Sequence, residues 1–201
     1  MADWRKIVLG GLAAAAGGAA AWYMRERTTP EPAYRLMRSD EHIEVRNYEA
    51  ILVAEISHTG ARDDALNRGY ERLSAYIEGK DQPGVDGERI AMRVPVLQDS
   101  PDGKGEWRTR FVMHEDWSRD SLPPVPAGIR LEEVPARRIA AIRFAGSPKP
   151  RQLREREDEL RRWLEREKLQ PVGGFEYAFY NSPMIPPFLR RNEVWVPVSA
   201  D

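Results

Sequence analysis

Apolar and polar residues alternate in the same way at two places along the chain. In Ile43 to Gly60, IEVRNYEAILVAEISHTG, two short alternating segments flank a turn-like centre at Asn47 to Ala50, and a glycine closes the run. A period of two predicts strands. The spacing then changes. Leu66, Tyr70, Leu73 and Ile77 recur at steps of four, three and four, which predicts a helix ended by Gly79. Ile129 to Gly146, IRLEEVPARRIAAIRFAG, lies over the first stretch without a gap, with its own turn-like centre at Glu133 to Ala136. Ile43/Ile129, Ala50/Ala136, Ala54/Ala140, Ile56/Ile142 and Gly60/Gly146 are identical, and Val45/Leu131 and Val53/Ile139 are similar. A second helical stripe follows at Leu153, Leu160, Trp163 and Leu164 and ends before Pro171. Two more strand-like runs follow each helix: Arg89 to Leu97 with Trp107 to Met113, then Gly174 to Tyr180 with Val194 to Val198. The unit is β-β-α-β-β, present twice, in an α+β chain. One unit is too short to bury both its sheet and its helix, so the halves are expected to share one core.

Ile7 to Met24, IVLGGLAAAAGGAAAWYM, fits neither pattern. It runs 18 residues without a charge, close to the roughly 20 apolar residues that span a bilayer. Trp22 and Tyr23 stand where an interfacial aromatic belt would. A signal peptide would use Ala19-Ala20-Ala21 as its small-residue cleavage site, but its apolar region is usually about 7–15 residues. The longer run favours an uncleaved anchor, and it has no polar face for a soluble helix. Arg5 and Lys6 before it balance Arg25 and Arg27 after it, so charge gives little orientation; the domain is expected on the periplasmic or extracytoplasmic side. The chain divides into an N-terminal membrane anchor or signal segment (1–27), a linker TTPEPA (28–33) and a domain (34–201).

Composition narrows the function classes. Charged residues make up 31% and hydrophobic ones 41%, enough for a core and too apolar for wholesale disorder. A formal net charge of −1 argues against a nucleic-acid partner, since phosphate binding leaves a basic excess. The absence of cysteine excludes disulfides, thiolate metal sites and cysteine nucleophiles. The sequence holds no glycine-rich phosphate loop and no Ser-His-Asp or metal-histidine spacing. The charge run of the second helix, with Glu157/Arg161 and Asp158/Arg162 four apart, reads as a solvated face.

One segment is harder to place. In YNSPMIPPFLRRNEVWVPV, Val194, Val196 and Val198 mark a strand, but Pro183, Pro186 and Pro187 rule out a helix before it. Met184, Ile185, Phe188 and Leu189 are too apolar for a plain loop. Such a loop is either a preorganised wall for a ligand or a plug for the core.

This segment, with EHIEVRNYEA, IAMRVPV, WRTRFVMHEDW and SLPPVPAGIRLEEVPARRIAAIRFAG, resembles the SOUL/heme-binding-protein family from about Tyr34 to Val198. The resemblance implies two pseudo-symmetric halves forming a distorted antiparallel β-barrel flanked by two helices, as in the effector-binding domain of bacterial multidrug regulators. It also implies non-covalent binding of heme or metal-free porphyrin in a hydrophobic cleft, with no catalytic role. One wall would be the first helix of the domain, which offers Asn67, Arg68, Tyr70, Leu73, Ser74 and Ile77. Met184, Ile185 and Phe188 of the proline segment would form the other, with Met92 of the M-x-x-P-V motif beside them. Arg68, Arg72, Arg190 and Arg191 are the cations near these walls for propionate groups, unless they are solvated or tie down neighbouring carbonyls. A proposed heme-ligating histidine of some members is Asn47 here; the usual M-T-x-P-V has Arg93 for threonine, and F-x-M-P ends in His114. His42, His58 and His114 are in no ligand spacing, so shape rather than iron is expected to govern binding. Two further classes stand beside the tetrapyrrole carrier or buffer. One is a small-molecule hydrolase on the related fold, using Tyr70 and Glu176; the other is a ligand-free interaction module at the membrane.

Overall fold

The chain forms strands β1 (Tyr34–Asp40), β2 (Ile43–Tyr48), β3 (Ile51–Thr59), β4 (Val96–Asp99), β5 (Glu106–Val112), β6 (Arg130–Val134), β7 (Arg137–Phe144), β8 (Glu176–Phe179) and β9 (Asn192–Val198). Helix α1 (Arg62–Ile77) follows β3, helix α2 (Pro150–Glu167) follows β7, and a short 3-10 turn, Pro187–Leu189, precedes β9. The structure is a computed structural model that describes residue 24 and residues 28–80 and 89–199. The uncharged run from Ile7 therefore lies outside the described residues except for Met24. Among the described residues no helix is long and apolar enough to cross a membrane.

All strand pairs are antiparallel, in one nine-stranded sheet ordered β1-β2-β7-β9-β8-β4-β5-β3-β6. The order is symmetric about the β8–β4 junction, where β8, β9 and β7 of one half mirror β4, β5 and β3 of the other. The duplication read from the sequence is thus present in space. The sheet is a curled half-barrel with β1 and β6 as free edges, not a closed barrel.

The two turn-like centres do not make hairpins. β2 pairs with β7, and β6 pairs with β3, so each half lends its first strand to the other. Two-residue hairpins need φ > 0 at a central residue, usually supplied by Gly or Asn. Glu49-Ala50 and Pro135-Ala136 offer neither, and none of the four has a positive φ. The chain crosses between halves instead. Since Tyr48 and Ile51 can be only about 10 Å apart at most, these short links require the sheet to curl. The closing glycines do what the repeat suggests: Gly60 (φ +115) and Gly146 (φ +117) hold the same left-handed conformation after β3 and β7.

Both helices lie on one face of the sheet. α2 buries Leu153, Leu160, Trp163 and Leu164 against Ile43, Ile142 and Val194. α1 covers Ala54, Ile56, Val96 and Phe111 with Leu73, Tyr76 and Ile77. On the opposite face Val53, Leu97 and Val112 meet Ile139, Ala141, Ala178, Tyr180 and Trp195 from the other half. Among the described residues there are three cores rather than one, and each draws on both halves: the first two through the exchanged first strands, the third through the inner strands of both. Two buried ionic clusters border the third. Glu55, Asp99, Arg108, Arg110, Arg137 and Glu176 form one, and Arg46 and Glu193 centre the other.

The stripe read on α1 is rotated from the face that is buried. Ala65 and Gly69 are fully enclosed along with Leu73 and Tyr76, whereas Tyr70 is 39% exposed. Small residues let the helix approach β5 closely. A Cβ on Gly69 would lie 2.6 Å from Thr109 Oγ1. Gly69→Ala is accordingly expected to destabilise the domain: overpacking costs about 1–3 kcal/mol, against roughly 1 kcal/mol gained in helix propensity. Urea unfolding measures the balance, and a variant more stable than wild type would show that Thr109 yields freely.

Candidate functional site

The close approach of α1 to β5 turns Leu66, Asn67 and Tyr70 over a cavity of about 670 Å³, within the ordinary range of ligand pockets. Met92, Val94 and Val96 line it from the segment leading into β4, and Phe179 and Tyr180 from the end of β8. Asn181, Ser182, Pro183 and Arg190 of the proline loop close another side, and Thr28, Thr29 and Pro30 of the linker complete it. The Tyr70 ring meets Phe111 edge-on at 5.4 Å, and its hydroxyl lies 3.9 Å from Met92 Sδ.

The proline loop is held by its own polar groups. Arg190 Nε donates to Ile185 O at 2.6 Å and Nη2 to Pro183 O at 2.5 Å. Asn181 Oδ1 accepts from Arg191 N, and Gly146 N donates to Pro187 O. Arg190 thus ties down carbonyls while still facing the cavity with donors to spare. Beneath the loop lies Glu193, fully buried. Arg46 Nη1 and Nη2 donate to it at 2.8 and 3.1 Å, Tyr180 Oη at 2.9 Å and Trp195 Nε1 at 2.6 Å. Burial alone would raise its pKa, but these bonds and the Arg46 and Arg191 charges hold it at about 2. Arg191 also pairs with both oxygens of Glu31 and lies over the Tyr180 ring.

Of the residues singled out in the sequence, Asn67, Tyr70, Met92 and Arg190 line the cavity. Leu73, Ile77 and Ile185 are buried behind it, and Ser74 is half-buried one turn beyond Tyr70. Arg68 reaches away to Thr59 O at 2.6 Å. Met184 and Phe188 are not among the lining residues, and at 80% and 75% exposed neither plugs the core. Glu176 is bound by Arg137 and Arg110 on the opposite face and does not meet Tyr70 at the cavity. Phe179, Tyr180, Asn181 and the linker were not anticipated; the asparagines flanking the proline loop, Asn181 and Asn192, were the available signal.

The lining chemistry suits a flat apolar anion. Arg190 is the only charged side chain among the described lining residues, and no carboxylate joins it. No imidazole does either. His42 is held by Glu159, His114 by Asp116, and His58 bonds Ser57 O. Burial and the Arg68 charge push the His58 pKa down. The residues therefore fit the macrocycle and its propionates, while the thioether of Met92 is the one soft donor among the described lining residues.

Comparison with known proteins agrees. The mouse protein "Heme-binding protein 1" is 26% identical over 139 residues, covering 67% of this chain and 72% of its own length. The bovine protein of the same name is 25% identical over 144 residues, covering 69% and 73%. Among solved structures, the EcmrR C-terminal domain matches with a TM-score of 0.60 at 10% identity, over 83% of this chain and 98% of that one. A hydrolase from Listeria innocua matches at 0.56 and 14%, over 81% and 94%. At such identities these two speak for the fold alone. The family model described as SOUL heme-binding protein matches residues 29–197, from the linker that lines the cavity to the last strand. The chain therefore belongs to the SOUL heme-binding protein family, one of non-covalent heme binders rather than enzymes.

Proposed function

We propose that this chain binds heme or metal-free porphyrin in the cavity between α1 and the proline loop, as a carrier or buffer, tethered to a membrane through Ile7–Met24. The observation that carries the reading is the lining itself. An apolar wall of Leu66, Tyr70, Met92 and Phe179 faces amides and, among the described lining residues, a single guanidinium and no carboxylate to repel propionates. Asn67, Tyr70, Met92 and Arg190 make direct contact in this reading, and Leu73, Ile77 and Ile185 support the walls from behind. The uncharged run and its aromatic end support the tether.

Titration of the full chain with protoporphyrin and with heme, followed at the Soret band, tests the site. Saturable binding of both with affinities within a few fold is expected, because no imidazole is among the described lining residues. His58→Ala and His114→Ala are expected to leave both affinities unchanged. A sharp loss of heme binding in either variant, with porphyrin unaffected, would mean that an imidazole reaches the iron.

A further inference from the structure

The tether and the cavity meet at one place. Thr28 N donates to Met24 O at 3.1 Å and its hydroxyl to the same oxygen at 3.2 Å. The last residue of the uncharged run is thus one turn of chain from a residue that lines the cavity. The linker is fastened there: Val94 N donates to Pro30 O, and Arg191 clamps Glu31. On the other side of the cavity, Pro183 is followed at once by the exposed Met184, with the exposed Phe188 on the same loop. No residue from Asn181 to Leu189 is charged. Ile185 roots this crest in the core and Arg190 braces its carbonyls, so the two apolar side chains are presented on an ordered support. Exposed apolar residues are ordinary when scattered; grouped on an uncharged crest they mark a docking site.

We propose that Met184 and Phe188 enter the interfacial layer of the bilayer that holds Ile7–Met24, so that the cavity opens against the membrane and takes its tetrapyrrole from the lipid phase. The proposal rests on the tethered reading above. The occupant is lipid because the crest rises from the loop lining the same cavity as the linker, where an apolar segment of bilayer-spanning length joins the fold. Interfacial elements sink about 5–10 Å into the headgroup and acyl boundary, which a methionine and a phenylalanine on a loop crest can reach. Tethering also raises the local concentration of lipid, so a contact too weak to bind a free protein suffices.

The absence of cysteine permits a direct test. Single Met184→Cys, Phe188→Cys and Val172→Cys variants of the full chain are labelled with a nitrobenzoxadiazole dye. They are reconstituted in phosphatidylcholine–phosphatidylglycerol vesicles with and without doxyl-labelled lipid. Val172 is the control: it is exposed and bonded to Pro197, at the end of β9 away from the proline loop. Blue-shifted emission and quenching by doxyl lipid at 184 and 188, but not at 172, is the expected result. No quenching at 184 and 188, equal quenching at 172, or a chain that does not float with vesicles overturns the proposal. A blue shift without lipid quenching does so too, since the crest is then covered by protein, either the N-terminal run or a second copy. Protoporphyrin titration of the unmodified chain reads the cavity separately. Binding without quenching sinks the docking alone, and quenching without binding sinks the cavity assignment alone.

Discussion

Glu193→Gln is expected to lower the stability of the domain by about 3–5 kcal/mol, because it leaves Arg46 and Arg191 facing an uncharged amide inside the protein. The carboxylate is fully enclosed and bonded by Arg46, Tyr180 and Trp195. Its pKa is about 2 in the folded chain against an ordinary 4.5. A pKa lowered by folding contributes stability that is fully present above the unfolded value and is lost as pH falls through the folded one. The window therefore runs from about pH 4.5 down to about pH 2, and the contribution lost across it is roughly 3 kcal/mol. Urea melts of wild type and variant along a pH series read the difference between them, which removes the effect of other carboxylates. A variant within 1 kcal/mol of wild type near neutral pH, with the same acid slope, would show that the charge is dispensable. Tyr180 and Asn192, next to this cluster, line the cavity. The variant is thus also expected to bind porphyrin less tightly wherever it remains folded.

Tyr70→Ala is expected to weaken protoporphyrin binding by more than tenfold while costing little stability. The ring is a wall of the cavity, and its 39% exposure shows how much of it awaits a partner. At about 25 cal/mol per Å², burying one aromatic face is worth roughly 2 kcal/mol to the complex, which is more than tenfold in affinity. In the free protein the variant loses mainly the edge contact with Phe111, worth about 0.5–1.5 kcal/mol. Porphyrin titration with thermal melting of the free protein separates the two effects. Unchanged affinity would move the ligand away from α1.

The architecture was legible where side-chain period and burial agree. The stripe Leu153, Leu160, Trp163, Leu164 is the buried face of α2, and the repeated glycines occupy equivalent left-handed positions. β1 left no signal because it is an edge strand, and Leu36 and Met37 on it are exposed. The run from Arg89 shows the limit of alternation: only Val96–Asp99 pairs as a strand. The two segments around each turn-like centre pair with strands of the other half rather than with each other, because local pattern carries no information about which strand lies alongside.

The candidate site divides in the same way. Proline spacing and apolar content marked the loop, and the helical period marked α1, so Asn67, Tyr70, Met92 and Arg190 were reachable from residues and resemblance. The direction in which Phe188 points was not reachable. It depends on Arg190 drawing in the carbonyls of Pro183 and Ile185, which buries Ile185 and leaves its neighbours outside.

By itself the sequence determined the duplicated α+β unit, the faces of most elements, the absence of thiol chemistry and the family, because these depend on residue type and short-range spacing. The tertiary structure alone decided the exchange of first strands between halves and the three separate cores. It also decided that the linker, α1 and the proline loop bound one cavity over a buried carboxylate. Those features join residues more than a hundred positions apart, such as Arg46 with Glu193 and Glu31 with Arg191. No local period encodes such distances; they follow from the strand order of the curled sheet, which brings sequence-distant strands side by side.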